Sequence, residues 1–262
     1  MNFFKVSAKD FTASLKLWRM ALFLGWEDIR QRYVRTALGP LWLILGAAAW
    51  IGIMSFVMAA LFAQDVRHTL PFITAGALIW TFIANILNEG CLVFLHASPI
   101  MQALHLPMLF HVLRFLIRQL IILLHYCLLL FIVFYLCHVS VSWLTLLALP
   151  GIILLLINAL CFSCVLGIIN TRYRDIHQVV TTSLVILPFI TPIFWEKGFL
   201  KKHEWIATYN PFYHAVELVR APLLGHAASL DSWIYMGCIT VFGMLLASYF
   251  LAQHKDKIIF WL

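Results

Sequence analysis

Few side chains in this sequence have the type and spacing for covalent chemistry. Cys161 and Cys164 make a C-x-x-C pair, the spacing of a redox dithiol or of half a zinc site. No second pair and no nearby histidine cluster completes it. All six cysteines (Cys91, Cys127, Cys137, Cys161, Cys164, Cys238) lie in or beside apolar runs and read as small buried hydrophobes, so no metal site is expected. His226 and Asp231 form the H-x4-D spacing that acyltransferases use, a single short match of little weight. No G-x-x-x-x-G-K-[ST] string occurs, so the chain does not hold ATP in the P-loop manner. If it does work, the energy comes from elsewhere.

The more telling polar groups interrupt apolar runs. Arg114, Arg118 and His125 fall on one helical face (i, i+4, i+11), and Asn85, Asn88 and Glu89 share a face near the end of another run. Arginines within a turn of a membrane interface can simply snorkel; His125 lies too deep for that and faces either a cavity or a neighbouring helix.

The elements that must position these residues are membrane spans. Hydrophobic residues make up 63% of the chain and charged ones 11%, and the mean hydropathy is +0.95, values that a water-soluble domain could not carry without large exposed apolar patches. From Leu41 to Ala63 no residue is ionisable. About 20 apolar residues suffice to cross a bilayer. Further runs at about 70–87, 115–137, 143–169, 179–195 and 233–252 predict an all-α polytopic protein of six transmembrane helices. Thirteen Lys and Arg then fall on the side of the termini, against five (Arg67, Lys197, Lys201, Lys202, Arg220) on the other, which predicts cytoplasmic termini. The net charge of +7 is read as cytoplasmic loops and anionic headgroups, not nucleic acid. No cleavable signal peptide and no internal repeat is recognised.

Residues 1–40 form a cytoplasmic segment of their own, and 41–262 the transmembrane domain. Phe11, Leu15, Trp18, Leu22, Trp26 and Ile29 recur at three- and four-residue spacing and predict an amphipathic helix lying in the membrane surface. Between the fifth and sixth spans, Asn210-Pro211 through Arg220 reads as a capped helix, with Asn at N-cap and Pro at N1, too short to cross and so re-entrant or on the outer surface. Rings deep in the spans (Trp50, Phe56, Trp80, Phe82) could line a path for sugars, whose C–H faces pack on aromatic faces; helix packing is the plainer role for any one of them.

Four strings in order, Arg32-Tyr-Val-Arg35-Thr-Ala-Leu-Gly39-Pro40-Leu-Trp42, Thr171-Arg172-Tyr-Arg174-Asp175-Ile176, Thr191-Pro-Ile-Phe-Trp195 and Asn210-Pro-Phe through Gly225, resemble those of ABC-2 type permeases for polysaccharide export. The likeness is greatest to O-antigen exporters, with capsule and teichoic acid permeases related. The resemblance implies a homodimer with two separate ATP-binding subunits, moving a polyprenyl-diphosphate-linked glycan across the bacterial inner membrane. It places no cofactor in this chain, with ATP and Mg in the partner. It also implies a coupling helix docked on the ATPase at about Leu92 to Pro107. Within it the contact is expected around His96, Ser98, Pro99 and Ile100, since Ser98-Pro99 breaks the second span's continuation and Pro99 can open a short helix.

The same likeness implies an outer gate between the fifth and sixth spans, here with Trp195, Tyr209, Phe212, Tyr213 and Arg220, and a cytoplasmic loop motif of Arg172, Arg174 and Asp175; His125 joins the four deep rings as a candidate for the glycan path. An internal ion pair or a contact with the ATPase could stabilise that motif. Arg32 and Arg35, three apart on one helical face, have guanidinium forks suited to the lipid diphosphate. Val34 stands where the family often has a third basic residue. The alternatives are an ABC-2 permease for another amphipathic lipid or a drug, and a membrane-embedded glycan transferase.

Overall fold

The computed structural model describes residues 2–262, and all regular structure among them is helical. Two helices lead, α1 (Asn2–Lys16) and α2 (Trp18–Arg32), followed by α3 (Leu41–Leu61), α4 (Val66–Gly90) and the short α5 (Val93–Ala103). Then come α6 (Met108–Leu136), α7 (Ala148–Arg172), entered through a 3-10 turn at Trp143–Leu147, and α8 (Asp175–Ile190). The chain closes with α9 (Trp205–Thr208), α10 (Pro211–Leu223), α11 (Leu230–His254) and α12 (Ile258–Trp261).

Five helices, α3, α4, α6, α7 with its 3-10 entry, and α11, are long and apolar enough to cross a membrane, and the protein is a multi-pass membrane protein. The run expected at 179–195 stops early. Thr191 is extended (φ −93°, ψ 132°) because Pro192 follows it and excludes the helical region. α8 therefore has sixteen residues. At about 1.5 Å each this is about 24 Å, short of the roughly 30 Å hydrocarbon core.

α4 is the most buried of the long helices and α3 the least. One face of α4 joins α5, α7, α10, α11 and the start of α6 around Phe82, Ile86, Phe94, Val112, Ile168 and Leu218. Its other face meets α3, the later turns of α6 and the Ile193-Phe194 turn around Ile73, Trp80, Tyr126 and Leu130. A glycine permits the tightest crossing. A Cβ at Gly167 would lie 2.6 Å from Val93 Cγ1 and 3.0 Å from the Phe94 ring, so α5 seats directly on the α7 backbone.

The leader is two helices broken at Leu17, where the single interfacial helix was expected. Small residues at Ser7, Ser14, Ala21 and Gly25 are buried against α6 and α11, and Ile29 is buried in the cluster of α3, α4 and α6, so Ile29 does not belong to the outward stripe. Phe11, Leu15, Trp18, Leu22 and Trp26 all remain exposed on the other side. The Asp10 carboxylate accepts from the N–H groups of Met108 (3.2 Å) and Leu109 (2.8 Å), capping α6 from another helix. Those are N–H groups that a helix start leaves without intrahelical partners.

Candidate functional site

The ends of α2, α4, α6 and α7 gather with α5 and α12 at one end of the bundle. The charged residues that periodicity left scattered meet here. Asp28, one turn from the end of α2, takes both Arg114 Nε (2.9 Å) and Arg114 Nη2, a two-point guanidinium–carboxylate pair. Gly25, one turn earlier, lets α2 approach closely, since a Cβ there would lie 3.1 Å from the Arg114 carbonyl oxygen.

Glu89, in the last turn of α4, is shared. Its Oε2 accepts from Arg118 Nη2 at 2.5 Å and Gln119 Nε2 at 2.9 Å, while Oε1 accepts from Arg32 Nη2 at 3.3 Å. The network thus holds three arginines and two carboxylates and joins α2, α4 and α6. Partial burial lowers the local dielectric and strengthens the Arg114–Asp28 and Arg118–Glu89 pairs above their value in water, whereas the Arg32 side chain is exposed.

A cleft of about 130 Å³ opens beside the network, lined by Asp28, His96, Ala97, His111, Arg114 and Arg118. His96, on α5, has its pKa lowered because it is partly desolvated, although its outer edge reaches solvent, and because Arg118 opposes a second positive charge. α5 occupies the position expected for the coupling segment, but Pro99 does not open it. The helix begins at Val93 and Pro99 lies in its middle. Pro99 and His96 are exposed, Ser98 and Ile100 half-buried, while Phe94, Ala97 and Met101 face the bundle.

The other arginine of the expected clamp is not with Arg32. α2 ends at Arg32, Tyr33 leaves the helix, and Arg35 adopts φ 70°, so the two guanidinium groups do not share a helical face. At the α7–α8 corner, Arg172 stacks on Tyr173 and on Trp261 of α12, each at 5.3 Å. Arg174 and Asp175 are exposed, and none of the three forms an ion pair among the described residues, so of the two alternatives offered for this motif the internal pair is not seen. The corner is held instead by Asn170, which donates to the Cys91 carbonyl (2.9 Å) and accepts from His177 N–H (3.0 Å).

At the opposite end α10 is pinned at both of its ends. Asn210 caps it, accepting from Phe212 N–H at 2.9 Å, and donates to Thr191 Oγ1 at 2.9 Å. His214 is 2.8 Å from Ser232 Oγ on α11 and 2.8 Å from the Thr208 carbonyl. Arg220 donates to the Pro192 carbonyl at 2.7 Å and to Glu217 at 2.7 Å, and its guanidinium lies 4.2 Å from the Phe72 ring. Trp195 and Tyr213 are half-buried and Tyr209 is exposed.

The deep rings do not form one surface. Trp80 and Phe82 are buried inside the packing, Trp80 edge-on to Phe212 at 5.6 Å, whereas Phe56 and Trp50 are exposed on α3, Trp50 edge-on to Phe194 at 5.4 Å. His125 Nδ1 bonds the Ile121 carbonyl of its own helix at 2.8 Å. Sequence reading missed Asp10, Asp28, Asn170 and His214, and named Glu89 without its partners. A carboxylate at the edge of an apolar run was the one available signal.

Fold and site define a helical, multi-pass membrane protein with a charged, helix-covered end. The profile of the ABC-2 type transporter family matches residues 21–224, and the chain belongs to that family. It is 23% identical over 198 residues to an O-antigen export system permease protein RfbA of Klebsiella pneumoniae, covering 71% of this chain and 72% of that one. A second RfbA of the same organism matches to the same extent.

Proposed function

We propose that this chain is the membrane subunit of an exporter that moves a polyprenyl-diphosphate-linked polysaccharide of the O-antigen type across the bacterial inner membrane. A separate ATP-binding subunit in two copies drives it, and two copies of this chain form the conduit, with the termini cytoplasmic. The observation that carries this reading is α5: a short helix between two long apolar ones, seated on α7 through Gly167 and presenting His96 and Pro99 outward beside the charge network. A partner pressing on α5 acts on α6 and α7 through direct packing.

The relatives' name as O-antigen export permeases supports the cargo, and the outward faces of α3 and α8 support a second copy. None of α8 is buried, and Ile53 and Phe56 of α3 are about two-thirds exposed. The diphosphate is met by the exposed guanidinium of Arg32, with Arg35 in the following turn. α10, with Trp195, Tyr209, Phe212, Tyr213 and Arg220 around it, forms the outer gate. Trp50 and Phe56 supply sugar-facing rings on the conduit side. Arg172, Arg174 and Asp175 lie at the same end as α5, within reach of a docked ATPase.

Deleting the gene in its own host tests the reading. Surface O-polysaccharide should disappear while glycan on its lipid carrier accumulates in the inner leaflet, and the wild-type chain should restore export. Unchanged surface glycan would contradict it.

A further inference from the structure

The Glu89 network is unequal in a way that suggests an exchange. Oε2 is held by Arg118 and Gln119 at 2.5 and 2.9 Å, whereas Oε1 has only Arg32, at 3.3 Å and through a single hydrogen bond. The Arg32 side chain is 45% exposed and that of Arg118 is 15% exposed. Arg32 can therefore leave without stranding the carboxylate, which keeps two donors. α2 does not leave with it, because the two-point Asp28–Arg114 pair, one turn earlier on the same face, keeps that helix on α6.

Two chain segments adjoin the Arg32–Glu89 contact. One is the eight-residue link from α2 to α3. The other is the corner between α4 and α5, since Glu89 lies four residues before Val93, where α5 begins.

Resting on the export reading above, we infer that Arg32 is a substrate-sensing side chain: Glu89 holds it in the empty protein, and the diphosphate of the lipid carrier takes it from Glu89 on arrival. A dianionic diphosphate offers a guanidinium two charged acceptors where Oε1 offers one long bond. The two states of Arg32 thus report an occupied headgroup site to the helix next to the ATPase, through a contact that the ligand competes away. Such coupling is reciprocal: whatever weakens the Arg32–Glu89 contact strengthens diphosphate binding.

The size of the effect follows from the contact. An exposed pair of this kind holds its partner between about half and five-sixths of the time, so removing the competitor raises affinity about two- to sixfold.

The test uses the permease–ATPase complex in phosphatidylcholine nanodiscs, with undecaprenyl diphosphate as the probe, and reads its Kd and the ATPase rate. Glu89→Gln, which still accepts from Arg118, should tighten binding two- to sixfold and raise the substrate-free ATPase rate toward the stimulated one. Glu89→Asp, which keeps the charge but draws it back from Arg32, should move both readouts the same way if the Gln variant assembles poorly. Arg32→Gln should weaken binding, and adding Glu89→Gln to it should change nothing more.

Tighter binding by Glu89→Gln that persists in the Arg32→Gln background would overturn the exchange, as would no change in either Glu89 variant. In both cases the loss in Arg32→Gln leaves the export reading standing. No binding of undecaprenyl diphosphate to the wild type would overturn the export reading and the exchange with it. Nanodiscs of phosphatidylglycerol separate the other source of phosphate: if that lipid alone raises the wild-type ATPase rate to the Glu89→Gln level, Arg32 answers to bulk headgroups and the sensing role is overturned.

Discussion

Asp10 illustrates how much of this protein is decided by single side chains acting far from their own position in the sequence. Its carboxylate satisfies two N–H groups at the start of α6, 98 and 99 residues away, and places negative charge at the positive end of that helix dipole. Replacing it by Ala removes the acceptor and the charge together. A lost cap costs about 1 kcal/mol. For a chain of this length a change of that size lowers the melting temperature by about 2–4 °C. Thermal unfolding of the purified permease in detergent checks this, and Asp10→Asn, which retains an acceptor, should recover part of the shift. Sequence periodicity placed Arg114 and Arg118 on one face but gave no sign that Asp28 and Glu89 meet them. A period names the face a residue occupies on its own helix and says nothing about which neighbour that face meets.

Elements were legible where local chemistry sets them. Asn210 at the N-cap and Pro211 at N1 predicted a helix that starts where α10 starts, because both residues act within one turn. α8 ran past its real end in the sequence reading because hydropathy outlasts the helix, and Pro192 decides the matter. α5 was legible as an insertion between spans but not in its starting point. Its first turn is fixed by Val93 and Phe94 packing on Gly167, a contact between helices, so Pro99 could be carried inside.

Three outcomes follow at this scale. Ile100→Glu places a charge on the half-buried flank of α5, and should uncouple ATP hydrolysis from export while insertion stays normal; parallel ATPase and export assays read the split. Arg220→Lys keeps the charge but lacks the fork that bonds Glu217 and the Pro192 carbonyl together, so the α8–α10 turn should loosen. Labels on Phe212 and Pro192 should then show greater mobility, with export reduced several-fold. Trp18→Glu, on the exposed stripe of the leader, should weaken its seating in the membrane without preventing insertion of α3. Spin labels at Phe11, Leu15 and Leu22 should report lipid contact in the wild type and less of it in the variant.

At the scale of the whole molecule, the class of protein was legible because composition leaves little choice. A chain that is 63% hydrophobic with five membrane-length apolar helices is a multi-pass membrane protein whatever its side chains do in detail. The interior arrangement was less legible. Trp80 and Phe82 looked like path-lining rings in sequence, yet they are buried among the helices of a single chain, while Trp50 and Phe56 face outward. Hydropathy cannot separate these cases, because a ring facing lipid, a partner subunit or a packed core is equally apolar.

The central claim is that this chain moves its cargo only through a partner that presses on α5. Proteoliposomes containing the purified permease, lipid-linked glycan and ATP test it most directly. Glycan should stay on the side where it was loaded until the ATP-binding subunit is added, then cross in proportion to ATP hydrolysed. ATP-driven movement of glycan by the permease alone would contradict the account.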